Sequence, residues 1–198
     1  MTGMTWRQQY FKWCKLRFGP YSEGELLRIF PTFDVNARLN VQRWTNEAGL
    51  MKLKDVVEEF LAQTDGTGVL DKPPESYLPI VQQYGPMNTW DVSRVTDLTS
   101  LFQNKQAFNA YIGKWNTSNV TNIGRMFQNA SAFNNGAASG EPGNPLEWDV
   151  SKVTSMGFTF LVAKAFNADI GDWKVSNVTD MLQMFAGASA FNRDIGGW

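Results

Sequence analysis

A tryptophan followed by a nearly constant phrase returns four times in this chain, and that repetition limits the fold more than any other feature. The segments are WDVSRVTDLTSLFQNKQAFNAYIGK from Trp90, WNTSNVTNIGRMFQNASAFN from Trp115, WDVSKVTSMGFTFLVAKAFNADIGD from Trp148 and WKVSNVTDMLQMFAGASAFNRDIGG from Trp173. Trp198 stands where a fifth would open, so the spacings are 25, 33, 25 and 25 residues. The long spacing holds NNGAASGEPGNPLE, which reads as a loop inserted at about 135–147 because Gly, Pro and Asn punctuate regular structure. Self-similarity at a period of about 20–50 residues is the signature of a repeat array. One unit buries too few rings to offset the ordering of its own backbone, so each must stack on its neighbours.

Within a unit the apolar positions predict local structure. Ser93, Ser118, Ser151 and Ser176 stand two residues before an apolar series, where a helix N-cap would be. That series is Val95, Leu98, Leu101 and Phe102 in the first unit and Val120, Ile123, Met126 and Phe127 in the second. Its spacing describes one face of a short helix. Phe160 and Phe185 continue the Phe102 and Phe127 position. Next come Phe108-Asn109, Phe133-Asn134, Phe166-Asn167 and Phe191-Asn192, running on to Ile112, Ile170 and Ile195 in three units. The alternation there predicts one short strand or extended segment per unit. The recurring asparagines either form a ladder onto the neighbouring coil's backbone or close local Asx-turns.

The repeat W-[DN]-V-S-x-V-T-x-M-x-x-M-F-x-x-A-x-x-F-N-x-D-I-G-x-W resembles the BspA-like family of leucine-rich-repeat surface proteins. The resemblance covers residues 84–198. It implies a right-handed, leucine-rich-repeat-like solenoid used for binding or adhesion, with no catalytic residue to carry over. The expected fold is therefore an α+β repeat solenoid over 76–198, with one short strand and one short helix per 25-residue coil. An α-helical docking or capping region with its linker, residues 1–75, precedes it. There, Ser22-Glu23-Gly24-Glu25 matches a capping box ahead of Leu26, Leu27, Ile29 and Phe30. A second helix is expected over about 34–44. A third, over 50–63, places Leu53, Val56, Val57, Phe60 and Leu61 on one face. The linker 64–75 lacks the alternating ligands of a calcium loop.

Composition narrows the function. The chain has 198 residues, no histidine and one cysteine, against eight Trp, fourteen Phe and five Tyr. Without histidine there is no Ser-His-Asp or Cys-His arrangement and no side chain that ordinarily titrates near neutrality. The lone Cys14 supports no internal disulfide or thiolate cluster. A net charge of −1 offers no bulk attraction to nucleic acid. No apolar run is long enough to span a bilayer, and residues 1–18 lack the apolar core of a secretory signal. An intracellular, organellar or virion-associated place is expected from that, whereas the family resemblance implies the cell surface. No enzyme, cofactor or metal site is expected.

Three places are candidates for contact. At ten, thirteen and fourteen residues after each Trp, the first two units are polar: Ser100, Gln103 and Asn104, then Arg125, Gln128 and Asn129. The third carries Phe158, Leu161 and Val162, an apolar stripe on the outer face of the expected helix. Either the inserted loop covers it, another chain does, or it is a harmless surface. Tyr111, Asp169 and Asp194 share one column on the expected strand face, where the two carboxylates would lie about 5 Å apart if paired as strands. They read as solvated carboxylates on a ladder. Trp6, Tyr10 and Trp13 fall on one helical face beside Arg7, Lys12, Lys15 and Arg17. They either anchor residues 1–19 in a partner groove or on a membrane surface, or cap the first coil. The sequons at Asn116, Asn119, Asn129 and Asn177 are read as parts of the repeat.

These features predict a non-enzymatic interaction or scaffold subunit of a multi-protein complex; the alternative is a fragment of a surface adhesin binding host or matrix components. Ending on Trp198 predicts further repeats or a partner over that end.

Overall fold

The computed structural model describes residues 49–69, 84 and 86–198. The two helices expected over 22–44, Cys14 and the ring-bearing segment 1–19 lie outside them.

Helix α1, Gly49–Gln63, forms as its pattern predicts. Leu53, Val56, Val57, Phe60 and Leu61 are all buried, joining the core of the repeat units. The helix ends in a Schellman-type closure: Gly66 N–H donates to Leu61 O at 2.8 Å, with Asp65 at φ 51° and Gly66 at φ 77°. Phe60 meets Trp90 edge-on at 5.3 Å, and Thr67 O accepts the Asn109 N–H at 2.9 Å. An ion pair joins Glu58 to Lys105. Helix α1 with residues 64–69 thus covers the first coil.

After a single 3-10 turn at Met87–Thr89, the units stack, and their rings form three columns. Phe102, Phe127, Phe160 and Phe185 follow one another at 5.5, 5.5 and 5.7 Å. Phe108, Phe133, Phe166 and Phe191 follow at 5.6, 6.0 and 5.6 Å. Trp90–Trp115, Trp148–Trp173 and Trp173–Trp198 stack at 6.5, 6.1 and 6.2 Å. Each such pair adds about 0.5–1.5 kcal/mol beyond the area it buries. Four of the indole N–H groups also reach back to an earlier carbonyl: Trp115 to Met87, Trp148 to Ile112, Trp173 to Leu146 and Trp198 to Ile170.

The expected helix and strand in each coil are not there. Residues 86–198 form no α-helix and no strand, only isolated parallel bridges such as Asp97 to Asn122, Asn122 to Ser155 and Ser155 to Asp180. The expectation of an α+β solenoid with a strand and a helix per coil is therefore corrected to a stack of turn-built coils. The reason lies in the backbone. Two residues per coil hold left-handed φ within the stretch expected to be helical: Ser100 and Asn104, Arg125 and Asn129, Phe158 and Val162, Gln183 and Gly187. Each is third in a turn closed across three residues, such as Leu101 N–H to Leu98 O and Lys105 N–H to Phe102 O, the type II pattern. Alternate amides leave the coil instead of following it. Leu98, Ser100, Phe102 and Asn104 donate to Asn122, Gly124, Met126 and Gln128 of the next coil. The i, i+3, i+6, i+7 spacing marks consecutive turns here, which also return apolar side chains to one side.

The serines are not N-caps. Asp91, Asn116 and Asp149 instead accept the N–H of Ser93, Ser118 and Ser151, each closing an Asx-turn after its tryptophan. Ser176 follows Lys174 in that place and is exposed.

Candidate functional site

The asparagine ladder resolves as one between coils. Asn109 Oδ1 accepts the Asn134 N–H at 2.8 Å, Asn134 Oδ1 that of Asn167 at 2.9 Å, and Asn167 Oδ1 that of Asn192 at 3.0 Å. Threonines form a second ladder, with Thr121, Thr154 and Thr179 hydroxyls donating to the carbonyl of the threonine one coil earlier. Three of the sequon asparagines spend their amides the same way: Asn119 on Ser93 O, Asn129 on Asn104 Oδ1 and Asn177 on Ser151 O.

The inserted loop closes the second coil. Asn135 Nδ2 bonds Asn144 O and Pro145 O, and Asn144 Nδ2 returns to Asn135 O. Gly143 and Leu146 N–H donate to Asn167 O and Asp169 O, and Glu147 N–H to Gly113 O. Leu146 is buried and takes the place that Ile112 and Ile170 hold in other coils, since its carbonyl receives the next indole. Tyr111 lies under this loop, with Gly136 so near that an added Cβ would sit 3.0 Å from the Tyr111 Cβ. Burial raises the Tyr111 pKa, with Lys114 opposing and Glu147 adding to the rise. Lys114 itself is raised by its hydrogen bond to Glu147. Asp169 and Asp194 do not act as a pair: each accepts the N–H two residues on, from Gly171 and Gly196. Among the described residues no group of His, Cys, Asp or Glu is placed to hold a metal, and no helix is long and apolar enough to cross a membrane.

On the turn face the coils differ. Gln103 and Gln128 bond each other at 2.9 Å, as do Asn104 and Asn129 at 2.8 Å. One coil further on, Phe158, Leu161 and Val162 are half-buried. The Arg125 guanidinium lies 5.0 Å over the Phe158 ring. Phe158 and Val162 hold φ of 62° and 58°. A branched residue at positive φ is a genuine outlier, and Asn104, Asn129 and Gly187 are what the other coils place there. Trp6, Tyr10 and Trp13 lie outside the described residues.

Sequence reasoning missed Met181 and Leu182. They are 37% and 60% exposed, and Leu182 O accepts the Phe158 N–H, so they extend the apolar surface onto the fourth coil. The signal was present nine residues after each Trp, where Thr99, Gly124 and Gly157 precede Leu182.

No curated protein and no solved structure matches the chain. Residues 80–198, more than half of the sequence, match the family described as Mycoplasma protein of unknown function, DUF285, and the chain belongs to that family.

Proposed function

We propose that this chain is a non-enzymatic protein-interaction or scaffold subunit of a larger assembly, making contact through the turn face at Phe158, Leu161 and Val162. The observation that carries this reading is the strained backbone under the apolar side chains. Residues held in sparsely populated backbone regions cost about 1–3 kcal/mol and cluster where function demands a particular side chain. Val162 occupies such a place where asparagine or glycine serves the fold in the other coils, and Phe158 occupies one that it shares with Ser100, Arg125 and Gln183. The carboxylates agree with a structural role, since Asp91, Asp97, Asp149, Asp169, Asp180 and Asp194 each accept the amide two residues on.

The test is native mass spectrometry of the complex recovered with the wild-type chain and with Phe158→Ser, Leu161→Gln together. A fixed-stoichiometry partner lost from the double variant, with an unchanged unfolding midpoint, supports the proposal. A complex retained in full by a folded double variant refutes it.

A further inference from the structure

The turn runs of the four coils, residues 98–107, 123–132, 156–165 and 181–190, carry charge of one sign. They hold Lys105, Arg125 and Lys164 and no acidic residue, while all nine acids of 86–198 lie elsewhere in the coils. Asp180, just ahead of the fourth run, spends its carboxylate on the Leu182 N–H and the Ser155 hydroxyl. Lys105 is paired with Glu58. Arg125 and Lys164 are exposed and have no acidic partner among the described residues. They bracket the apolar stripe: Arg125 lies 5.0 Å over the Phe158 ring, and Lys164 follows Val162 by two residues. On the fourth-coil side the neighbours are Ala186 and Gly187, so no side chain longer than a methyl group rises there beside Leu161 and Val162.

Charge selects the occupant. We infer that this stripe binds a segment of a partner protein in which carboxylates bracket apolar side chains, the apolar groups packing on Phe158, Leu161 and Val162 and the carboxylates meeting Arg125 and Lys164. A guanidinium stacked on a ring still presents its N–H fork to a carboxylate. An apolar centre within a polar rim is the usual division of a protein interface, and the rim charges set partner choice. Two copies meeting through this face would set cations against cations. Residues 1–19 of the chain itself carry Arg7, Lys12, Lys15 and Arg17 with no acid, so they repel it as well. Two free cations fall short of the about four to eight that hold an anionic membrane surface, and Leu161 and Val162 offer no ring on which a nucleic-acid base could stack. The inference rests on the turn-face reading and adds to it the chemistry of the partner.

The experiment is selection of phage-displayed random peptides on the full chain, followed by binding of the enriched peptides to two variants whose unfolding midpoints match the wild type. Arg125→Gln with Lys164→Ser removes the charges and copies Gln183 and Ser189, which hold the same places in the fourth coil. Phe158→Ser with Leu161→Gln removes the stripe. The wild-type pool is expected to be acidic and rich in apolar residues. Its peptides are expected to bind the charge variant about three- to tenfold more weakly, with a gap that narrows as salt rises from about 0.01 to 0.15 M. They are expected to lose binding to the stripe variant. A wild-type pool with no excess of acid, or no enriched pool, overturns the inference. So do peptides lost from the stripe variant and held equally by the charge variant, a result that leaves the turn-face reading standing. Peptides that bind all three chains alike overturn both.

Discussion

Replacing Val162 by asparagine is expected to raise stability while lowering partner binding. The left-handed conformation costs an ordinary residue about 1–2 kcal/mol, and asparagine adopts it far more readily. Val162 is half-buried, so its removal forfeits about 0.5–1 kcal/mol of apolar burial. The new amide would stand in line with Asn104 and Asn129, whose side chains already bond each other at 2.8 Å, and one more such bond is worth about 0.5–1.5 kcal/mol. The net gain is about 0.5–3 kcal/mol, or about 1–12 °C in Tm for a chain of this size. Urea unfolding followed by tryptophan fluorescence measures it, since the stacked indoles exist only in the folded state. Gly187→Val is the reciprocal control. An added Cβ there meets Val162 Cγ2 at 3.4 Å, ordinary contact, so the expected loss of about 1–2 kcal/mol is conformational. A fall in unfolding free energy of about 1 kcal/mol or more for Val162→Asn would show that packing outweighs backbone strain, and would remove the ground for a functional valine.

Three further outcomes follow from single contacts. Asn134→Ala removes a fully buried side chain that accepts from Asn167 N–H and donates to Glu141 O; a loss of about 2–4 kcal/mol is expected in thermal or urea unfolding, because buried partners go unpaired. The Thr99 hydroxyl is buried without a partner among the described residues, so Thr99→Val should be neutral or stabilising by up to about 1 kcal/mol in the same assay. Hydrogen bonds from Ser151 hold the Asp149 carboxyl below its ordinary range, so it binds its proton more weakly folded than unfolded. Its contribution is present above the unfolded pKa and fades as pH falls through the lower folded value. Being exposed, it is small. Asp149→Asn, copying Asn116, should leave stability at pH 7 nearly unchanged and flatten the acid limb of a pH series.

Much of this architecture was legible in one dimension, and the reason is local. Trp90, Phe102, Phe108 and Asn109 recur at fixed spacing because each coil must present the same ring and the same amide to the next. Stacking identical coils turns a sequence period directly into a column in space. Leu53, Val56, Val57, Phe60 and Leu61 marked α1 because a helix satisfies its own backbone, so its pattern needs no partner to be read. The conformation of the coils was different. Whether the amides of Leu98, Ser100, Phe102 and Asn104 turn inward as a helix or outward as turns depends on carbonyls that arrive 24 residues later in the chain. Apolar spacing alone is the same for both. The asparagine ladder and the Asx-turn stayed equal alternatives for the same cause, an acceptor reached only across coils. Strain at Phe158 and Val162 and the loop's closure of the second coil exist only once coils are stacked. The repeat and its rings belong to the chain read along its length, and the turns and the strain belong to neighbours brought together by folding.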